Sequence, residues 1–283
     1  MDLAPARFAS IDTTHRCPLR CRHCYYYRVE PEGEDLPPGD FIAALRAWRD
    51  STAADCMLWL GGEPFLRPDV VVEGSRLFRR NAAFTSGLVS IPEDFPGGVA
   101  ISLDGPAEAN DSLRGRGMFQ VALDRCDGGR DRLFHCTLTA GNLAAAGPLV
   151  DCLRRADAAG VLFGLYTPRV DEEGGFALSR EDRDAAVDGL LTLREEHDGF
   201  VLNTPASLER MRWEETRITA ARCPYRTGEA VALDHRLREK LPCSYGEGAD
   251  CTRCGCVALF LGVAAADGDG ASREVLRAFF RRR

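Results

Sequence analysis

The sequence lacks the marks of export and of a membrane span. Its first residues, MDLAPARFASIDTT, contain no basic segment leading into an apolar run, and nowhere do about 18 apolar residues follow one another. Both absences point to a cytoplasmic protein with no membrane partner. Positive charge is in short supply: 36 Lys and Arg face 43 Asp and Glu, and the formal net charge of −7 disfavours a nucleic-acid backbone as partner. Internal repeats and low-complexity linkers are missing as well, so the 283 residues read as one main core with a small appendage.

Cysteine, by contrast, is abundant. Twelve cysteines in a chain without an export signal read as metal ligands rather than disulfides. Eight of them fall into two clusters: Cys17, Cys21 and Cys24 within CPLRCRHC, and Cys223, Cys243, Cys251, Cys254 and Cys256 near the other end. Cys56, Cys126, Cys136 and Cys152 stand in strand-like or helix-like segments, where a thiol packs as a small hydrophobe.

The apolar runs RFASIDTT, CMLWLGGEP, AFTSGLV, VAISLDG, LFHCTLT and VLFGLYTP have strand length and end in glycine, proline or small polar residues. Helical segments stand between them at DFIAALRAWRDS, DVVVEGSRLFRRN, MFQVALDRC and LAAAGPLVDCLRRADAAG, while SIPEDFPGG leaves little room for a full helix in the third unit. This alternation predicts parallel strands joined by right-handed crossovers: an α/β fold, here a partial (β/α)6 TIM-like barrel over residues 1–178. Chemistry in such folds gathers at the carboxyl ends of the strands, where GGEP, SLDG and TAGN stand. At Ser179 a capped amphipathic helix begins, with Asp182 three residues after the serine. An irregular cysteine-rich region follows, then a loop AAADGDGAS and a last helix REVLRAFFRRR, making residues 179–283 a small C-terminal extension.

Three thiolates hold three corners of a four-iron cubane and leave the fourth iron open. A closed zinc site wants a fourth donor, which His15 or His23 would have to supply. The motif CPLRCRHCYYY, with C-x3-C-x2-C spacing after a first strand, resembles the cluster loop of the radical S-adenosylmethionine (radical SAM) superfamily. GGEP after the second strand, SLDG after the fourth, LRGRGMF shortly afterwards and TAGN after the fifth continue the resemblance, which runs from Phe8 to Pro168. It implies that Cys17, Cys21 and Cys24 ligate a [4Fe-4S] cluster whose open iron is chelated by SAM. Reduction of that cluster, by a flavodoxin or ferredoxin, then cleaves SAM to a 5'-deoxyadenosyl radical.

The resemblance also implies SAM contacts. His23 stands where the family commonly has an aromatic ring near the adenine, with packing inside the loop as the alternative. Gly61, Gly62 and Glu63 would approach the SAM ammonium, because glycine permits close backbone approach. Ser102 and Asp104 share one face of a strand; Ser102 suits the SAM ribose or carboxylate, and Asp104 suits the substrate or a turn cap. Arg114 pairs with the methionyl carboxylate or is a solvated loop residue, and Asn142 contacts SAM or caps the next helix. Where the family often has an Asn-Gly pair after the third strand, this chain has Ser86-Gly87. Tyr25, Tyr26 and Tyr27 line the cluster loop, and Tyr166, Tyr225 and Tyr245 face substrate, unless these rings simply pack.

The second cluster, with its C-x2-C-x-C end, offers soft ligands enough to close a metal site, without separating zinc from iron–sulfur. It resembles the twitch and SPASM auxiliary-cluster extensions and the cysteine-rich tail of hopanoid-adenosylating enzymes, but lacks the full seven-cysteine SPASM pattern. That resemblance implies one auxiliary [4Fe-4S] cluster on Cys223, Cys243, Cys251 and Cys254, with Cys256 in reserve. The expected activity is hydrogen abstraction from a small natural-product precursor, such as a nucleoside, sugar or amino-acid derivative, with no nucleic-acid partner. Peptide maturation, sulfur insertion from a sacrificed auxiliary cluster, adenosyl transfer to an alkene and a non-enzymatic zinc module are the alternatives.

Overall fold

The computed structural model describes residues 8–28, 33–125, 132–172 and 175–282, and Cys126 lies outside them. Seven strands form one open parallel sheet in the order β6-β5-β4-β3-β2-β1-β7. β1 (Phe8–Asp12), β2 (Cys56–Leu60), β3 (Arg80–Thr85), β4 (Gly98–Ser102), β5 (Leu133–Leu138) and β6 (Gly160–Leu165) are the six expected strands. Helices α1 (Pro38–Thr52) and α2 (Pro68–Ser75) follow the first two, no helix separates β3 from β4, α3 (Ala107–Arg114) and α4 (Met118–Leu123) follow β4, and α5 (Ala146–Arg155) follows β5. This is the open, partial barrel that the alternation predicts. α3 is an addition: Arg114 stands in the last turn of a helix, not in a solvated loop.

Strand alternation divides the sheet into two faces. Met57 and Trp59 of β2, Val99 and Ile101 of β4 and Phe134, Cys136 and Leu138 of β5 join the main core with residues of α1, α2 and α5. On the other face Cys56, Leu58, Leu60, Ala82 and Ala100 pack against Phe279 and Phe280, so the end of the chain covers the concave side of the sheet.

The C-terminal half is more regular than its sequence suggests. Ser179 caps α6 (Arg180–Glu196) by accepting from Asp182 N, and α7 (Pro205–Glu209), α8 (Trp213–Ala221) and α9 (Pro224–Thr227) follow. β7 (Ala230–Leu233) then pairs parallel to β1, with Phe8 opposite Ala230. The AAADGDGAS segment is not one loop: Ala264 to Ala266 complete α10 (Val257–Ala266), and Ala271 and Ser272 lie in α11 (Gly270–Phe279). α10 escapes a periodicity search because VALFLGVAAA is apolar all round, as a buried helix is. The last helix also stops early: Arg281–Arg282 form β8, antiparallel to β3. Gly98 permits this, since a Cβ there would stand 2.0 Å from Phe279 O. Among the described residues no helix is long and apolar enough to cross a membrane.

Candidate active site

The segment from Thr13 to Arg28 leaves the carboxyl end of β1 and is pinned to the end of β2. Thr13 N donates to Leu60 O (2.8 Å), Gly62 N to Thr14 O (2.9 Å) and Glu63 N to Arg16 O (2.9 Å). The glycine pair makes this approach possible: Gly61 has φ +117°, and a Cβ on Gly62 would stand 2.0 Å from Arg16 O. Gly62→Ala is therefore expected to push the Arg16–Cys17 backbone away from β2. Iron retained after anaerobic reconstitution should fall to roughly half of the wild-type value or less, measured as iron per chain.

Cys17, Cys21 and Cys24 are half-buried and line one cavity of about 200 Å³ together with His23, Gly61, Gly62, Glu63, Ser102 and Arg114. Burial pushes the Cys17 thiol up to about 12; it raises Cys21 as well, with Arg114 opposing. Such thiols stay protonated until a metal takes them. Zinc held by thiolates at ~2.3 Å sets sulfur atoms roughly 3.8 Å apart. Among the described residues the only trio of His, Cys, Asp or Glu ligand atoms mutually within 4.8 Å is His15, Asp35 and His235, so neither cysteine cluster is drawn to zinc spacing. Among the described residues the buried His23 Nδ1 has no hydrogen-bond partner, and the ring lines the same cavity.

Two expected contact residues lie behind the cavity wall instead. Asp104 is fully buried and accepts from Arg114 Nε (2.6 Å), pairs with His23 Nε2 (2.9 Å) and accepts from Thr137 N (2.8 Å). Burial alone would raise its pKa, but the Arg114 guanidinium and His23 hold the carboxyl well below the usual carboxylate range. Asn142 accepts from Thr139 N and Oγ1 and donates to the carbonyls of Asp104 and Thr137. Its amide is fully used within the protein, and it makes no side-chain cap to the following turn. Both residues hold the ends of β4 and β5 together, where His23 and Arg114 are oriented.

Glu63 is only 1% exposed, and Thr85 and Ser86 hold its carboxylate: Oε1 accepts from Thr85 Oγ1 (2.6 Å), and Oε2 from Ser86 N (2.9 Å) and Oγ (2.6 Å). The Ser-Gly variant of the family's Asn-Gly pair thus positions GGEP. Sequence reading missed His135 and Thr137, which line the cavity from β5. The alternation in LFHCTLT carries the signal, since Phe134, Cys136 and Leu138 face the core. Burial pushes His135 down to about 4, so it is neutral at physiological pH. Arg28, Tyr25, Tyr166, Thr167 and Tyr245 complete that wall.

The five C-terminal cysteines line a second cavity of about 360 Å³, between the concave face of the sheet and α9, α10 and α11. Cys223 precedes α9, Cys243 lies beyond β7, and Cys251 opens a short turn capped by Asp250, which accepts from Thr252 N (2.9 Å). Gly255 docks this segment on the end of β6: Leu165 N donates to Gly255 O (2.9 Å), Gly255 N to Thr167 Oγ1 (2.8 Å), and a Cβ would stand 1.7 Å from Leu165 O. Burial raises the thiols of Cys223 to about 11 and of Cys243 to about 12. Buried Arg183 from α6 donates to the carbonyls of Arg253 (3.2 Å) and Cys254 (2.6 Å), to Met211 O and to Thr216 Oγ1. Among the described residues no carboxylate forms a salt bridge with it, so a full positive charge sits beside the cysteine turn. Of the five, only Cys256 also lines the first cavity; Tyr225, read as facing substrate or packing, packs edge-on against Phe8, lines the second cavity and donates to Ser10 Oγ (2.8 Å).

Comparison with known proteins places this geometry. Residues 11–126 match the family model of the Radical SAM superfamily, a shorter span than the motifs suggest. Fe-coproporphyrin III synthase of Methanosarcina barkeri is 31% identical over 121 residues, covering 39% of this chain and 30% of that protein, so the similarity spans less than a third of the relative's length. Native anSMEcpe with bound AdoMet superposes with a TM-score of 0.64 at 15% identity, covering 96% of this chain and 83% of that one. Streptococcus suis SuiB bound to precursor peptide SuiA gives 0.60 at 13%, covering 90% and 64%; at these identities both show the fold alone. With the three-cysteine loop over the open end of a partial barrel, residues 11–126 carry the match to the radical SAM superfamily domain, whose members are enzymes that use a [4Fe-4S] cluster and S-adenosylmethionine.

Proposed function

We propose that the protein abstracts hydrogen from an organic substrate bound between the cluster loop and the C-terminal cysteine region. The observation that carries this reading is that the two cysteine groups line adjoining cavities with Leu58, Ser244, Tyr245, Cys256 and Ala258 in common. Cys17, Cys21 and Cys24 would hold the cluster. His23, Gly61, Gly62, Glu63, Ser102 and Arg114 would surround SAM, with Asp104 and Asn142 holding the strand ends behind them. When bound, cluster and SAM supply a 5'-deoxyadenosyl radical. The chain's own part is to shield and orient: α10 and the Gly255 segment cover the cavity, His135 stays neutral, and Glu63 is fixed before any ligand arrives.

Residues 1–178 serve in this reading as the catalytic core, and residues 179–283 as its cap and the source of a strand. Cys223, Cys243, Cys251 and Cys254 take an auxiliary [4Fe-4S] cluster. The Arg183 guanidinium beside the cysteine turn suits the negative charge that a four-thiolate site carries, and the likeness of the C-x2-C-x-C end to auxiliary-cluster extensions supports iron–sulfur there. The substrate is a small natural-product precursor in the cytoplasm, with a flavodoxin or ferredoxin as reductant. A peptide substrate is the second reading, favoured by the peptide complexes of anSMEcpe and SuiB.

Anaerobic reconstitution with iron and sulfide, followed by reduction in the presence of SAM, tests the proposal: a colourless protein that makes no 5'-deoxyadenosine would sink it. Replacing Cys251 and Cys254 together by alanine is expected to lower iron from about eight to about four per chain, while SAM still perturbs the electron paramagnetic resonance of the remaining cluster. Unchanged iron in this variant would remove the auxiliary cluster from these residues.

A further inference from the structure

We infer that the substrate carries a carboxylate and that Arg28 receives it, an inference that rests on the radical SAM reading above. Arg28 ends the short turn after Cys24 and lines the first cavity, with its side chain only 13% exposed. Its orientation is set from outside the turn. Nη1 donates to Thr167 O (2.7 Å), and the guanidinium carbon lies 4.4 Å from the centre of the Tyr166 ring. Nε and Nη2 are buried and, among the described residues, have no hydrogen-bond partner. These two atoms form one edge of the planar fork, with two N–H donors side by side, matching the two oxygens of a carboxylate. Native proteins seldom leave buried charged donors unpaired, and two of them side by side on a cavity-lining residue describe what a partner must offer.

The neighbouring charges narrow the ligand. Glu172 Oε2 lies 3.8 Å from Nη1, and Glu172 is held by Tyr166 Oη (2.7 Å) and Arg169 N (3.1 Å). It offsets part of the Arg28 charge, which suits a singly charged carboxylate better than a phosphate dianion. Of the other basic groups on this cavity, Arg114 and His23 bond Asp104, and His135 is neutral. The methionyl carboxylate of SAM shares the ligand chemistry, so the experiment must separate the two sources.

Titration calorimetry of the reconstituted, SAM-loaded protein with N-acetylglycine and with N-acetylglycinamide provides the test. Wild-type protein should bind the acid at least about tenfold more tightly than the amide. In Arg28→Lys, which keeps the charge and loses the fork, that lead should vanish while SAM affinity stays within about twofold. Equal binding of acid and amide by the wild type, which needs no variant, overturns the proposal, as does a lead that Arg28→Lys preserves. Tighter binding of inorganic phosphate than of N-acetylglycine overturns the carboxylate, and a loss of SAM affinity in Arg28→Lys assigns the fork to SAM instead. Failure of the underlying reading shows separately, as wild-type protein that forms no 5'-deoxyadenosine.

Discussion

Cys21→Ala is expected to form no 5'-deoxyadenosine above background after anaerobic reconstitution and reduction, as measured by chromatography of the quenched reaction. The loop does not depend on this thiol for its shape: Arg22 N donates to Leu113 O (2.8 Å), Cys24 N to Cys21 O (3.0 Å), and the Gly61–Gly62 contact anchors its other end. The substitution thus removes one of three soft ligands from a cavity that keeps its walls, and two thiolates do not hold a cubane with one open iron. The melting temperature of the metal-free variant should stay near that of the metal-free wild type, which separates lost ligation from lost folding. SAM cleavage at the wild-type rate in Cys21→Ala would refute the ligand assignment.

Asp104→Ala is expected to cost about 3–5 kcal/mol of stability, because it leaves the buried Arg114 guanidinium without its counter-charge and frees His23 and Thr137 N. For a domain of this size that corresponds to a fall in melting temperature of roughly 10 °C, measurable by calorimetry. The pH dependence has a definite sign. The folded-state pKa of Asp104 is depressed, so its contribution is fully present above the unfolded value of 3.8 and is lost as pH falls below it. The stability gap between wild type and Asp104→Ala should therefore narrow on acidification below pH 3.8. A gap that is small at neutral pH would show that Arg114 and His23 find solvent or other partners.

The parts of the site legible in sequence were those written in short range. Three cysteines in eight residues, two adjacent glycines after an apolar run and a serine three residues ahead of an acid each depend on neighbours a few bonds away. Asp104 and Asn142 show the limit of such reading. Their residue types suit a ligand, yet the strand ends around them take up their hydrogen bonds, and only the packing of β4 against β5 reveals it. β7 was invisible for a related reason: four residues, AVAL, form a strand because the edge of β1 stands open beside them.

By itself, then, the sequence determined the kind of chemistry, through ligand types and spacing, and the order of strands that carries it, through the period of its apolar residues. The tertiary structure decided which residues meet. It placed Arg28 against Thr167, 139 positions away in the chain, and set Cys256 between two cavities. It also folded the C-terminal helices into the concave face of the sheet. The physical reason is that ligation spacing and helical or strand period are properties of adjacent residues. The partner of a buried charge or an apolar face is chosen by the whole chain as it collapses around one core.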